Sequence, residues 1–118
     1  MITVIIPAYN SASLIKEAID SILQQSYRDI ELIIINDGST DNTESIIRSF
    51  KDGRIKLVNN GSNQGIVYSL NQAVALAQGH YIARMDADDV SNIDRLSIQL
   101  DYLKSNNLRY CARTTLHV

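Results

Sequence analysis

Ile30-Glu31-Leu32-Ile33-Ile34-Ile35 is a strand's length of nearly continuous Ile and Leu, and it stops at Asn36-Asp37-Gly38-Ser39-Thr40-Asp41. A strand with one wet face alternates apolar and polar residues, whereas a near-continuous run is the pattern of a strand covered on both faces, as parallel strands between helical layers are. Toward the N-terminus, Ile2 to Ile6 is a second β-branched run, closed by Pro7, which has no amide donor. Between the two, Leu14, Ile15, Ala18, Ile19, Ile22 and Leu23 repeat at helical spacing, with Ser11 and Ser13 offering helix caps. Toward the C-terminus, Asp41 and Glu44 have the spacing of a capping box ahead of a second helix striped by Ile46, Ile47 and Phe50. Ile55 to Val58 reads as a third strand, and Ile66 to Gln78 as a third helix whose stripe is Ile66, Leu70, Ala73, Val74 and Ala77, stopped by Gly79. Tyr81 to Met85 is a fourth strand, Ile93, Leu96, Leu100 and Leu103 mark a fourth helix, and Leu108 to Cys111 offers one more short strand. Strands alternating with helices predict a doubly wound, mostly parallel α/β sheet with flanking helices, Rossmann-like in its connections.

The 118 residues make a single domain by length, and 45% hydrophobic with 20% charged residues is the balance of an ordinary globular chain. A formal charge of −2 with scattered Lys and Arg argues against nucleic acid as a partner. The longest apolar runs are far too short to span a bilayer and no signal pattern precedes Pro7, so a cytoplasmic location is the default expectation. Cys111 is the only cysteine, which leaves no intrachain disulfide, and His80 and His117 have no partner at metal-ligand spacing.

Parallel strands put all their C-terminal ends on one edge of the sheet, where ligands of open α/β folds sit. Three loops share that edge: Pro7-Ala8-Tyr9-Asn10, Asp37-Gly38-Ser39 and Asp86-Ala87-Asp88. Tyr9 offers a flat face for stacking on a base, Asp37 an acceptor for a ring N–H, and Gly38 a tight turn. Asp86 and Asp88 are two residues apart, so an extended chain would project both to one side and turn Ala87 away. Two hard oxygen ligands suit Mg²⁺ or Mn²⁺, and a cation between them and a diphosphate is what like-charge repulsion requires. Each residue also has a plainer reading: Tyr9 as cover for a core edge, Asp37-Gly38-Ser39 as a turn, and the acids as a helix cap with solvated neighbours. A phosphoacceptor receiver would carry its acids after the first strand and a lysine after the last, and a haloacid-dehalogenase-like phosphatase its Asp-x-Asp after the first strand. A dinucleotide dehydrogenase would carry Gly-x-Gly-x-x-Gly. The chain has none of these arrangements.

In their order, Val4-Ile5-Ile6-Pro7-Ala8-Tyr9-Asn10, Ser21-Ile22-Leu23-Gln24-Gln25-Ser26-Tyr27, Asn36-Asp37-Gly38-Ser39-Thr40-Asp41, Asn63-Gln64-Gly65 and Ala83-Arg84-Met85-Asp86-Ala87-Asp88-Asp89 resemble the successive motifs of family 2 inverting glycosyltransferases with the GT-A fold. The resemblance covers roughly residues 1 to 105, the family's nucleotide-sugar-binding half. It implies that Pro7, Ala8 and Tyr9 line the base pocket, that Asp37 contacts the base, that Asp86 lies near the ribose, and that Asp88 coordinates Mn²⁺ or Mg²⁺ at the diphosphate. Asn36 stands where many members carry a further aspartate. The implied reaction moves a sugar from a nucleoside-diphosphate donor to an acceptor hydroxyl with inversion, in polysaccharide or glycolipid synthesis, with a saccharide or lipid-linked acceptor and a peripheral membrane contact allowed. The family's general base lies well beyond the acidic motif, so the resemblance implies no catalytic base within this chain and an acceptor half beyond Val118. The segment from Leu108 to Val118 departs from the family's wording, and the expectation is a truncated, frame-shifted or deliberately cut product. A nucleotide-sugar-binding fragment without catalysis is the alternative.

Overall fold

The computed structural model describes residues 1–108. Eight elements follow in strict alternation: β1 (Ile2–Ala8), α1 (Ile15–Leu23), β2 (Ile30–Asp37), α2 (Thr43–Arg48), β3 (Ile55–Asn60), α3 (Ile66–Leu76), β4 (Tyr81–Arg84) and α4 (Arg95–Ser105). The four strands form one sheet in the order β3-β2-β1-β4, and every pairing is parallel. β2 is buried along its whole length, as its unbroken apolar run requires.

Alternation along the strands sorts their side chains between two cores. Val4, Ile6, Leu32 and Ile34 pack with Ile15, Ala18, Ile19 and Ile22 of α1, Ile47 of α2, and Leu96 and Leu100 of α4. Ile5, Ile33 and Ile35 face the opposite way, onto Ala73 of α3 with Leu70 and Ala77 beside it. The chain steps outward from β1 through β2 to β3 with α1 and α2 on one face. It then returns over the other face through α3 to lay β4 on the free side of β1. Reversing direction while keeping the crossover hand moves the helix to the opposite face. The reversal makes the gap between the C-terminal ends of β1 and β4 the switch point, where an open α/β sheet leaves a crevice.

Several local expectations give way. No side-chain cap opens α1; Leu14 holds the cap position, and the carbonyl of Ser11 accepts from the N–H of Leu14 and Ile15. The capping box at Asp41 and Glu44 does not close either, because Glu44 pairs with Arg48 while Asp41 accepts from Thr43 and Ala12. Helix α3 ends at Leu76 rather than Gln78: the Gln78 N–H donates to the Glu31 carboxylate and the Gly79 N–H to the Thr3 hydroxyl, drawing the chain out of the helix. Its sheet face is Ser69, Leu70, Ala73 and Ala77, while Ile66 and Val74 are about 50% exposed. Small residues let the helix lie close on a sheet face already filled by isoleucine. Ile93 lies before α4 and is exposed. The expected last strand, apart from Leu108, lies outside the described residues.

Candidate functional site

The first loop leaves β1 with Tyr9 about half exposed and Asn10 in the left-handed region at φ 48°, a conformation asparagine tolerates. The second loop grips it. Asn10 donates its N–H to Ser39 Oγ (2.9 Å) and accepts at Oδ1 from the Thr40 N–H (2.7 Å). The Ser11 N–H donates to Thr43 Oγ1 (2.8 Å) and the Ala12 N–H to Asp41 Oδ2 (3.2 Å). The Thr43 hydroxyl, more than any other group, holds the Asp41 carboxyl below its ordinary range. Asn10 and Asp41 therefore shape the loop that carries Tyr9, a role that spacing alone did not reveal.

Asp37, at the end of β2, is 5% exposed. Its Oδ1 accepts from Asn60 Nδ2 and the Gln64 N–H, and its Oδ2 from the Gly65 N–H, all at 2.9 Å. Burial alone would raise this carboxyl's pKa. The bonds from Asn60, Gln64 and Gly65 outweigh that effect, so the pKa is lowered. Asp37 is thus a scaffold anchor that sets the entry of α3. Gly38 turns at φ 75°, and a Cβ there would lie 2.6 Å from the backbone of Ser62 and Asn63, so the glycine is required by this approach. Neighbouring Asn36 donates through Nδ2 to Asn59 Oδ1 (2.9 Å), and its own Oδ1 is buried without a partner among the described residues.

The acidic motif is a turn, not the extended segment that Asp-x-Asp spacing suggested. β4 ends at Arg84, and the Asp89 N–H bonds to the Asp86 carbonyl at 3.1 Å, closing a β-turn over Ala87 and Asp88. Met85 and Ala87 point into the core, as expected for Ala87, while Asp86 and Asp88 are exposed. The turn also brings in a third acid: carboxylate oxygens of Asp86, Asp88 and Asp89 all lie within 4.8 Å of one another. Three hard oxygen donors at that spacing, on an exposed edge, fit a divalent cation that completes its shell with water or phosphate. Arg84 reaches Asp86 at 3.3 Å across a half-exposed ion pair.

A cleft of about 370 Å³ opens between the first loop and this turn, lined by Pro7, Tyr9, Asn10, Ser11, Ser13, Leu14, Ala87 and Asp88. Of the residues singled out in the sequence, Pro7, Tyr9 and Asp88 thus share one cleft, and Asp86 adjoins it through the turn. Ala8 is buried in the core layer, and Asp37 is bound to the loop before α3 rather than lining the cleft. Ser11, Ser13 and Leu14 join the lining, although the sequence reading took the two serines as helix caps and Leu14 as part of the apolar stripe of the first helix.

The sequence that builds this site is matched over residues 3–115 by a family model, Glycosyl transferase family 2. The chain belongs to that family. It is 34% identical over 110 residues to the Escherichia coli UDP-Glc:alpha-D-GlcNAc-diphosphoundecaprenol beta-1,3-glucosyltransferase WfgD, covering 93% of this chain and 44% of that one. Among solved structures, S. aureus TarS 1–349 in complex with UDP-GlcNAc superposes with a TM-score of 0.84 at 26% identity, over 90% of this chain and 32% of that one. The mannosyltransferase PcManGT from Pyrobaculum calidifontis, in complex with GDP-Man and Mn²⁺, superposes at 0.81 with 33% identity, over 86% of this chain and 32% of that one. The fold is accordingly the Rossmann-like part of the GT-A architecture. The chain spans less than half the length of the curated relatives it matches.

Proposed function

We propose that this chain binds a nucleoside-diphosphate sugar through a divalent cation, for inverting transfer of the sugar to an acceptor hydroxyl. The observation that carries the reading is the convergence of the Asp86, Asp88 and Asp89 carboxylates beside the Tyr9 cleft, at the switch point of the sheet. In this reading Tyr9 and Pro7 support the base. Asp37 stands outside the cleft lining and has three of a carboxylate's about four lone-pair directions committed to Asn60, Gln64 and Gly65, so in this reading it offers the base N–H its one remaining direction. Asp88 and its neighbours hold Mn²⁺ or Mg²⁺, and Arg84 offsets part of the charge on Asp86. The cation, when bound, offsets charge on the departing diphosphate.

Displacement with inversion also needs a general base within hydrogen-bond reach of the acceptor hydroxyl. Among the described residues the cleft's lining offers Asp88 as its acid, and the metal role occupies it. The reading therefore assigns the base and the saccharide or lipid-linked acceptor site to other parts of the protein. Relatives and neighbours support a nucleotide-sugar donor without fixing which one, since UDP-GlcNAc and GDP-Man both occur among them.

Calorimetric titration with UDP, GDP and dTDP, each with and without Mn²⁺, tests the donor site. The expected result is Mn²⁺-dependent binding of one nucleotide, lost in Asp88→Asn. Folded protein that binds none of the three, or binding indifferent to both Mn²⁺ and Asp88→Asn, would sink the reading.

A further inference from the structure

We propose that Arg95, the first residue of α4, is a positioning residue of the acidic turn, through which one guanidinium ties both ends of the segment carrying Asp86, Asp88 and Asp89. Its importance for binding rests on the metal-site reading above; the contacts themselves do not. Arg95 Nη2 donates to the carbonyl of Arg84 (3.0 Å), the last residue of β4. Nη1 donates to Ser91 Oγ (3.2 Å), two residues past Asp89, and Nε donates to Gln99 Oε1 (3.2 Å) from one helical turn along. The side chain is buried at 8% exposure, so the planar fork is fixed by packing as well as by bonds.

The same segment is held from below. The Ser91 hydroxyl donates to Met85 Sδ (2.9 Å), and the Ser91 N–H donates to Ser21 Oγ (3.0 Å) on α1. Gln25 donates through Nε2 to the Asn92 carbonyl (2.6 Å) and accepts at Oε1 from the Leu96 N–H (3.0 Å), while the Ser26 N–H reaches the Ile93 carbonyl (2.9 Å). The stretch Ser21 to Ser26, a family-like motif in which the sequence reading used only Ile22 and Leu23, as helix stripe, and left Gln25 to solvent, is thus the floor under the acidic turn, with Gln25 buried. The need for such restraint is electrostatic. Three carboxylates within 4.8 Å repel one another whenever no cation lies between them. A loop held at both ends keeps them converged, so cation binding does not have to order it first.

The test uses Arg95→Lys, which supplies a point charge in place of the fork, and Ser91→Ala, which removes one clamp point with little loss of volume. Glu31→Gln, at the opposite end of the sheet, serves as a control for general destabilisation. Two readouts are taken: hydrogen–deuterium exchange over residues 84–91, and Mn²⁺ affinity by water-proton relaxation with UDP or GDP present. Both positioning variants are expected to exchange about tenfold faster over 84–91 and to bind Mn²⁺ about tenfold more weakly. Glu31→Gln is expected to lower Tm while leaving both readouts as in the unmodified chain. If Arg95→Lys does not fold, Ser91→Ala carries the test. Unchanged exchange overturns the proposal, and faster exchange with unchanged Mn²⁺ affinity overturns it too, reducing Arg95 to a structural role. If the unmodified chain binds no Mn²⁺ with either nucleotide, the donor-site reading fails, and exchange alone decides whether Arg95 holds the turn.

Discussion

At the scale of single residues, Asp37 shows how one carboxylate serves both scaffold and site. Its two oxygens receive an amide and two backbone N–H groups, which orders Asn60 to Gly65 and starts α3 beyond Gly65. Asp37→Asn keeps the shape but turns one acceptor into a donor facing a donor. The expected loss is about 1–3 kcal/mol, the cost of leaving a buried N–H unpaired, measurable by urea denaturation at pH 7. Nucleotide binding should fall with it, because the acceptor proposed for the base is altered and the loop beside it loosens. Full stability in the variant would mean that Gln64 and Gly65 find other partners and that the anchor is dispensable. Residue chemistry of this kind was half legible. Asp37, Asp86 and Asp88 stood out because acids at strand ends are hard to explain as packing. Asn10, Ser91 and Arg95 did not, because their partners lie 30, 70 and 11 residues away at Thr40, Ser21 and Arg84, and only the fold brings them together.

At the scale of elements, the strands were legible and the helix faces less so. β2 announces itself by apolar continuity and β1 by β-branching, since both properties are local, although β1 runs on through Pro7 to Ala8 instead of closing at the proline. The sheet face of α3 was read in part: Leu70, Ala73 and Ala77 of the expected stripe lie on it, but Ile66 and Val74 are exposed and Ser69, outside that stripe, is buried. What decides that face is the room above Ile5, Ile33 and Ile35, which no helical stripe encodes. The end of α3 was misread for a related reason: its stop is made by Glu31 and Thr3, from strands far back in the chain. Gly79 accordingly works as a point of contact with β1 rather than as a helix cap. A Cβ there would lie 2.7 Å from the Met1 carbonyl oxygen, the Thr3 nitrogen and the Thr3 hydroxyl. Backbone atoms cannot yield to it, so Gly79→Ala is expected to cost about 1–3 kcal/mol, as overpacking does. Gly53→Ala, with nothing within 4 Å of the added carbon, should leave thermal melting nearly unchanged. Equal melting temperatures for the two variants would show that the β1 contact is not tight in solution.

At the scale of the whole molecule, the sheet has a polarity: the candidate donor site occupies the C-terminal ends of the strands, and a buried ionic anchor occupies the other end. There Glu31 accepts from the Thr3 hydroxyl, the Gln78 N–H and Lys56 Nζ (2.8 Å), joining β1, β2, β3 and the exit of α3. Burial works to raise the pKa of this carboxyl. The bonds from Lys56, Thr3 and Gln78 and the charge of Lys56 overcome it, lowering the pKa from 4.5 to about 2. A folded-state pKa below the unfolded one stabilises the fold above the unfolded value, and the contribution fades as pH falls through the folded one. At about 1.4 kcal/mol per pKa unit, this depression corresponds to roughly 3 kcal/mol at neutral pH. Glu31→Gln should therefore be less stable than the unmodified chain by that order at pH 7, with the gap narrowing below pH 4.5 and closing near pH 2. Denaturant melts of both proteins at pH 7, 4 and 2.5 measure it, and a gap independent of pH would show that Glu31 acts by shape rather than by charge. Because this anchor and the acidic turn sit at opposite ends of the strands, weakening the anchor should loosen the exit of α3 while leaving Mn²⁺-dependent nucleotide binding unchanged. Glu31→Gln at pH 7 separates the two ends in one experiment: a lower Tm with unchanged Mn²⁺-dependent nucleotide binding is expected, and binding that falls in step with Tm would show that the ends are coupled.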